Sequence, residues 1–234
     1  MEPMATQKQS QPRAETPFPD LERDVTLGLL VLNLFVFLIE PSLRDTGRSW
    51  FEMRYSLSMD GIKAGYWWQF FTYQFLHGNW VHLGANLVLL HSMGPILETT
   101  MGRRRFFALY LVSGAMGGLV QLAGAAISPK IFGHPVVGAS AGLCGLLAAL
   151  GALYAEEKVK GYLFFIIPFE LKAKIVLLLA GLLSIVGSVF PFGNIAHLAH
   201  LGGLLGGLCC VNIMNVKPLP PIDDDPAPTK PGAR

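Results

Sequence analysis

The chain reads as an all-α membrane protein, a bundle of six transmembrane helices with a short, buried fourth helix and an interfacial first loop. Three observations carry that reading. Of the 234 residues, 52% are hydrophobic and only 15% charged, against about a quarter charged in an ordinary soluble domain. The apolar residues gather into separate runs divided by polar or aromatic stretches. The 26 glycines follow no collagen-like period, which suits transmembrane helices whose small residues let backbones approach one another. A net charge of +2, with no basic tract interleaved with aromatics, argues against a nucleic-acid partner and leaves the lipid bilayer as the surroundings.

Residues 1–24 are polar and carry Pro3, Pro12, Pro17 and Pro19. They bury too little surface to offset ordering entropy, so a disordered cytoplasmic tail is expected. They also lack the early apolar core and small-residue cleavage site of a secretory signal, so the first apolar segment is expected to stay in the mature protein. A membrane domain is expected over residues 25–214. Its first span covers 25–39 and is stopped by Glu40-Pro41. Residues 42–76 mix Arg44, Arg48, Arg54 and Lys63 with Trp50, Phe51, Tyr55, Tyr66, Trp67, Trp68, Phe70 and Phe71. Rings at that density belong at headgroup level, in a long interfacial loop with some helix of its own.

Further spans are expected at 80–97, 106–127, 140–154, 175–189 and 195–213. The fourth is about fifteen residues against the roughly 20 a bilayer needs. It therefore sits within the bundle, and the loop before it faces protein or a water-filled cavity. Glu156, Glu157, Lys158 and Lys160 read as a solvated loop, and Glu98 as a cap or ion-pair partner near the cytoplasmic end of its helix. Residues 215–234, Pro-rich with Asp223-Asp224-Asp225, read as a second disordered cytoplasmic tail.

Six spans put both ends of the chain on one side. Of the 18 Lys and Arg residues, only Arg44, Arg48, Arg54, Lys63 and Lys130 fall on the other. The positive-inside rule then places both termini in the cytoplasm and the aromatic loop outside, as for a multi-pass protein of the cell (inner) membrane. Cys144, Cys209 and Cys210 all lie in apolar runs and two are adjacent, which is poor disulfide geometry. His91 and His134 have no ligand-spaced partners. No disulfide, metal site or cofactor is expected.

Three polar groups interrupt the apolar runs. Gly138-Ala139-Ser140-Ala141-Gly142 sets one hydroxyl among residues with almost no side chain, at the start of the short fourth span. By itself this is either a nucleophile or a seam of close helix packing. His77 precedes the second span, and within it His82 and Asn86 are four apart and share one helix face. They either bond between helices or aim donors at a developing oxyanion. In the sixth run Gly203 and Gly207 lie on the face of His200. That face is either a packing seam with one satisfied histidine or a histidine brought against a neighbouring backbone.

Taken together and in this order, these residues resemble a rhomboid intramembrane serine protease. The matching features are His77, His82 and Asn86 in the second helix, Gly138-Ala139-Ser140 opening the fourth, and Ala199-His200 with Gly203 and Gly207 in the sixth. Glu98 and Gly102, leading into Arg103, Arg104 and Arg105, are similar to the family's junction after the second helix. The resemblance covers about residues 25–214. It implies a Ser140–His200 dyad without an aspartate, in which His200 takes the serine proton and returns it to the leaving amine. It implies an oxyanion hole made of His82, Asn86 and the Ser140 backbone amide. His77, Gly138, Gly203 and Gly207 have supporting roles, and the implied substrates are transmembrane proteins.

The same resemblance selects His200 over His197, which is expected one turn nearer the external surface and wet. Two positions depart from the family pattern. Ala141 stands where glycine is usual, and its methyl group is expected to crowd the oxyanion amide. Cys144 stands where an aromatic residue commonly packs on the catalytic imidazole, so His200 is expected to be held more loosely or by another residue. The alternative function is a rhomboid-like pseudoprotease that binds transmembrane segments without cleaving them. A proton pathway along His77, His82, His197 and His200 is disfavoured, because the spans supply no carboxylate to complete a relay.

Overall fold

The computed structural model describes residues 24–40, 50–163, 167–190 and 195–219. Of the tails expected over 1–24 and 215–234, residues 1–23 and 220–234 lie outside these residues, as do Arg44 and Arg48 of the first loop, whereas Asp24 belongs to the first helix. The chain enters through α1 (Asp24–Ile39). The first loop holds α2 (Trp50–Tyr55), α3 (Met59–Lys63), α4 (Gln69–Thr72) and a 3-10 turn (Tyr73–Phe75). After it come α5 (Trp80–Met101), α6 (Arg103–Ile127), α7 (Pro129–Phe132) and α8 (Ser140–Leu153). A two-stranded hairpin, β1 (Lys158–Leu163) and β2 (Ile167–Lys172), leads to α9 (Ala173–Val189) and α10 (His197–Met214). Among the described residues α5, α6 and α10 are long and apolar enough to cross a membrane, and α1, α8 and α9 are shorter apolar helices.

Local chemistry sets several boundaries. Asn79 caps α5, its Oδ1 accepting from the His82 backbone N–H at 2.8 Å. Gly102, at φ +79°, ends α5 and starts α6 in a conformation that glycine alone adopts cheaply. The first loop is folded by side chains bonding to backbone. The Trp68 indole donates to Arg54 O at 2.8 Å, Gln69 Nε2 to Met53 O at 2.9 Å, and Thr72 Oγ1 to Tyr55 O at 2.9 Å. The Arg54 guanidinium lies 4.9 Å from the Tyr66 ring centre and 5.5 Å from that of Trp68.

At the centre, α6, α8 and α10 meet through faces almost bare of side chains. A methyl group added to Gly203 or Gly207 of α10 would overlap the carbonyls of Ala141 and Gly145 on α8. One added to Gly202 would stand 2.8 Å from the Gly117 Cα of α6. Apolar burial closes the core around Leu97, Phe106, Leu109, Tyr110 and Leu146. At the edge of the bundle α9 packs one face on α8 and α10 and turns Leu178, Leu182, Leu183, Val186 and Val189 outward, consistent with contact to lipid rather than water.

Glu98, wholly buried, acts across helices. Its carboxylate accepts from Val25 N at 2.9 Å, Thr26 N at 2.8 Å and Thr26 Oγ1 at 2.7 Å, and so caps the start of α1. Next to this cap Gly94 leaves room for Thr26, whose Oγ1 would lie 2.7 Å from a methyl group there. Replacing Glu98 with alanine strands three donors, the two of Thr26 buried and that of Val25 partly so. It is expected to lower unfolding stability by about 3 kcal/mol, with glutamine recovering part of the loss, as read by thermal unfolding in detergent.

The described residues are mostly helical, as expected, but the solvated loop expected at Lys158 and Lys160 needs correction. Residues 158–163, Lys158 and Lys160 included, form a strand rather than a loop, pairing antiparallel with 167–172 from Lys158↔Lys172 to Leu163↔Ile167. The physical reason lies in the alternation of Lys158, Val159 and Lys160, which has the strand period: both lysines are exposed while Val159 packs on the core. Glu156 and Glu157 remain exposed in the turn before it.

Candidate active site

The approach to Ser140 is decided by one glycine. Gly138 has φ +124°, and a methyl group there would stand 2.6 Å from both Cε1 and Nε2 of His82 and 3.8 Å from Asn86 Nδ2. Both backbone conformation and space therefore require glycine, and the path it takes brings the serine loop alongside His82 and Asn86. That loop is pinned by backbone bonds to the first loop. Leu57 and Val136 exchange bonds of 3.0 and 2.9 Å, and Gly138 N–H donates to Tyr73 O at 2.9 Å. Tyr73 is itself buried and anchored, its hydroxyl donating to Gly114 O on α6 at 2.6 Å.

Ser140 is the first residue of α8, where the positive end of the helix dipole and the first free amides lie. From α10, His200 reaches it: Nε2 is 2.8 Å from Ser140 Oγ. The pair can be this close because Gly203, on the same face of α10, admits the Ala141 backbone. His77 is buried beside His82, the two rings 5.1 Å apart and steeply inclined at 68°. Burial pushes the His77 imidazole down to about 4, with the neighbouring His82 acting in the same direction. Asn86 is buried, and among the described residues its Nδ2 has no hydrogen-bond acceptor. It is an amide donor left available beside the serine loop.

Two expectations change here. His197 is not wet: it is 4% exposed and seated against Gly187 of α9, where a methyl group would overlap its ring. Its ring stands edge-on to His200 at 6.2 Å and 78°. His197 thus contacts the His200 imidazole from the turn before it, while Cys144 is half-buried on α8. The Ala141 methyl group also has a place of its own. It packs toward Gly117 of α6, 2.7 Å from where a Cβ on that glycine would lie. Since the methyl group fills a notch rather than the serine's surroundings, Ala141→Gly is expected to leave turnover unchanged and to cost about 1 kcal/mol of stability. Parallel activity and unfolding measurements check both.

Sequence reasoning did not single out Leu57, Tyr73, Val136 or Gly117 for the site. The first three hold the serine loop through backbone groups, which leave no side-chain signature of that contact, and Gly117 is one glycine among many.

Fold and site together define a class: a membrane-embedded helical domain with a serine–histidine pair held at the meeting of its central helices. The Rhomboid domain family matches residues 64–216, a stretch that contains His77, His82, Asn86, Ser140 and His200. The chain belongs to the rhomboid family. It is 31% identical over 134 residues to Rhomboid protein 1, mitochondrial, of Saccharomyces cerevisiae, covering 57% of this chain and 38% of that protein. It is 33% identical over 146 residues to Rhomboid protease GluP of Bacillus subtilis, covering 62% of this chain and 26% of that protein. To Rhomboid-like protein 11, chloroplastic, of Arabidopsis thaliana it is 27% identical over 210 residues, covering 84% and 68%. The chain therefore spans less than half the length of the first two.

Proposed function

We propose that this protein is an intramembrane serine endopeptidase that cleaves transmembrane segments of other membrane proteins through a Ser140–His200 dyad. The observation that carries the reading is the 2.8 Å approach of His200 Nε2 to Ser140 Oγ, within reach for direct proton transfer. Neutral His200 takes the hydroxyl proton as Oγ attacks the scissile carbonyl, then protonates the departing amine. Water, activated by the same imidazole, hydrolyses the acyl-enzyme. Asn86 Nδ2, the His82 imidazole and the Ser140 amide at the start of α8 serve as donors to the tetrahedral oxyanion. His77, Gly138, Gly203 and Gly207 hold these groups in place.

On this reading residues 25–214 form one membrane domain of six spans. Both termini are cytoplasmic, in the cell (inner) membrane. Support for the orientation comes from Arg103, Arg104 and Arg105, exposed at the turn opposite the serine end of the bundle. The test is labelling by a fluorophosphonate and cleavage of a transmembrane substrate by purified protein, beside Ser140→Ala. Binding of the segment without labelling or cleavage would instead favour the pseudoprotease.

Activity is expected to fall on acidification by about tenfold per pH unit once His200 is charged, because a protonated imidazole cannot accept the serine proton. The folded fraction must be followed in parallel. Burial keeps His77 neutral in the folded protein down to about 4, whereas an unfolded histidine protonates near roughly 6.5. The unfolded chain then binds the extra proton, so stability is full above that range and declines as pH falls toward 4. A pH-independent rate in folded protein would exclude His200 as the base.

A further inference from the structure

The β1–β2 hairpin has no place in the proposed chemistry, yet its construction constrains where it lies. Its root is tightly tied: Ala173 N–H donates to Glu157 O at 2.8 Å and Lys174 N–H to Ala155 O at 3.2 Å. Glu156 receives Lys172 at 2.7 Å and also Lys174, which together hold its carboxyl down at about 2. Lys158 pairs with Glu170 at 3.0 Å. Beyond the root the paired residues Gly161, Tyr162, Leu163, Ile167, Pro168 and Phe169 carry no charge.

Two physical limits bracket the hairpin. A lone two-stranded hairpin is marginal in water, and among the described residues β1 and β2 pair only with each other. Conversely, the outer edge of each strand presents backbone N–H and C=O groups that hydrocarbon cannot satisfy. Only the headgroup layer offers water to the edges and apolar surroundings to an uncharged far half. The root sits at the matching height. Tyr154 Oη, at the end of α8, is 2.7 Å from Thr100 Oγ1 near the end of α5, beside the turn where Arg103, Arg104 and Arg105 are exposed. Lys158, Lys160 and Lys172 are exposed at the same end; although Arg103, Lys158 and Lys172 pair with Asp24, Glu170 and Glu156, the cations outnumber these carboxylates, and the hairpin end of the bundle carries a basic rim.

We propose that the hairpin is an interfacial foot, lying in the headgroup layer of the bilayer and held there by anionic phospholipid at the basic rim. This rests on the chain's membrane placement and is independent of whether Ser140 is a nucleophile. The test uses the full chain reconstituted in vesicles of phosphatidylcholine and phosphatidylglycerol. An environment-sensitive fluorescent residue is introduced by codon suppression at Leu163, at Phe169 and, as a control, at Glu157. Lipid nitroxides near the top of the acyl chain should quench the Leu163 and Phe169 probes more than aqueous iodide does, with the reverse at Glu157. Omitting phosphatidylglycerol, or combining Lys158→Glu with Lys160→Glu, should weaken the lipid quenching by about two-fold. Iodide-dominated quenching at Leu163 and Phe169 would put the hairpin in water and overturn the proposal. So would quenching chiefly by nitroxides at the chain end, or by neither agent, which would mean burial in the hydrocarbon or against protein. Equal lipid quenching with and without anionic lipid would overturn the role of the rim.

Discussion

Ser140→Ala and His200→Ala are each expected to lower cleavage of a transmembrane substrate by about 10⁴-fold or more, and the double variant to lose no more than either alone. The non-additivity follows from a single proton transfer across the 2.8 Å Ser140 Oγ–His200 Nε2 contact: once either partner is gone, the other has no step to perform. Asn86→Ala should fall less, by about 10²–10³-fold, since it removes one donor among several. Neither Ser140 nor His200 carries the helix packing, so all of these variants should remain folded and still bind the segment. Initial rates at matched folded protein decide the matter. Undiminished product from Ser140→Ala would end the serine-protease reading, and multiplicative losses would show that the two residues act separately.

Gly203→Ala is the second large effect, and it reaches the same chemistry through packing. A methyl group at Gly203 would overlap the Ala141 carbonyl on α8, and the obstacle is backbone, which cannot rotate aside. The helices must separate, at a stability cost of about 1–3 kcal/mol. Because Ser140 is on α8 and His200 one turn before Gly203 on α10, separation stretches the pair beyond hydrogen-bond reach. Cleavage should therefore fall far more than the loss of folded protein explains. Gly181→Ala on α9, where a methyl group meets nothing within 4 Å, is the matched control. If Gly203→Ala keeps wild-type turnover, the α8–α10 approach does not set the dyad distance.

How much of this was open to sequence reasoning depends on the range of the forces involved. The helical body was legible because runs of apolar residues and the polar stops between them, such as Glu40-Pro41 after the first, are local. The residues of the candidate site were legible as a group because polar side chains in apolar runs are costly and therefore few. The hairpin was missed, though the alternation of Lys158, Val159 and Lys160 hinted at it, since a strand exists only through a partner, here residues 167–172.

By itself the sequence determined that the chain is membrane-embedded and helical, and which polar residues are available for chemistry. It did so because composition and short-range periodicity control solvation and helix formation residue by residue. Tertiary structure alone decided which of those residues meet and what surrounds them. It brought His200 to Ser140 across 60 positions, buried His197 in the notch at Gly187, gave the Ala141 methyl group its place over Gly117, and tied Gly138 to Tyr73 through the main chain. Each is a contact between helices or loops distant in sequence. Each depends on close packing and backbone hydrogen bonds, whose partners a linear pattern does not specify.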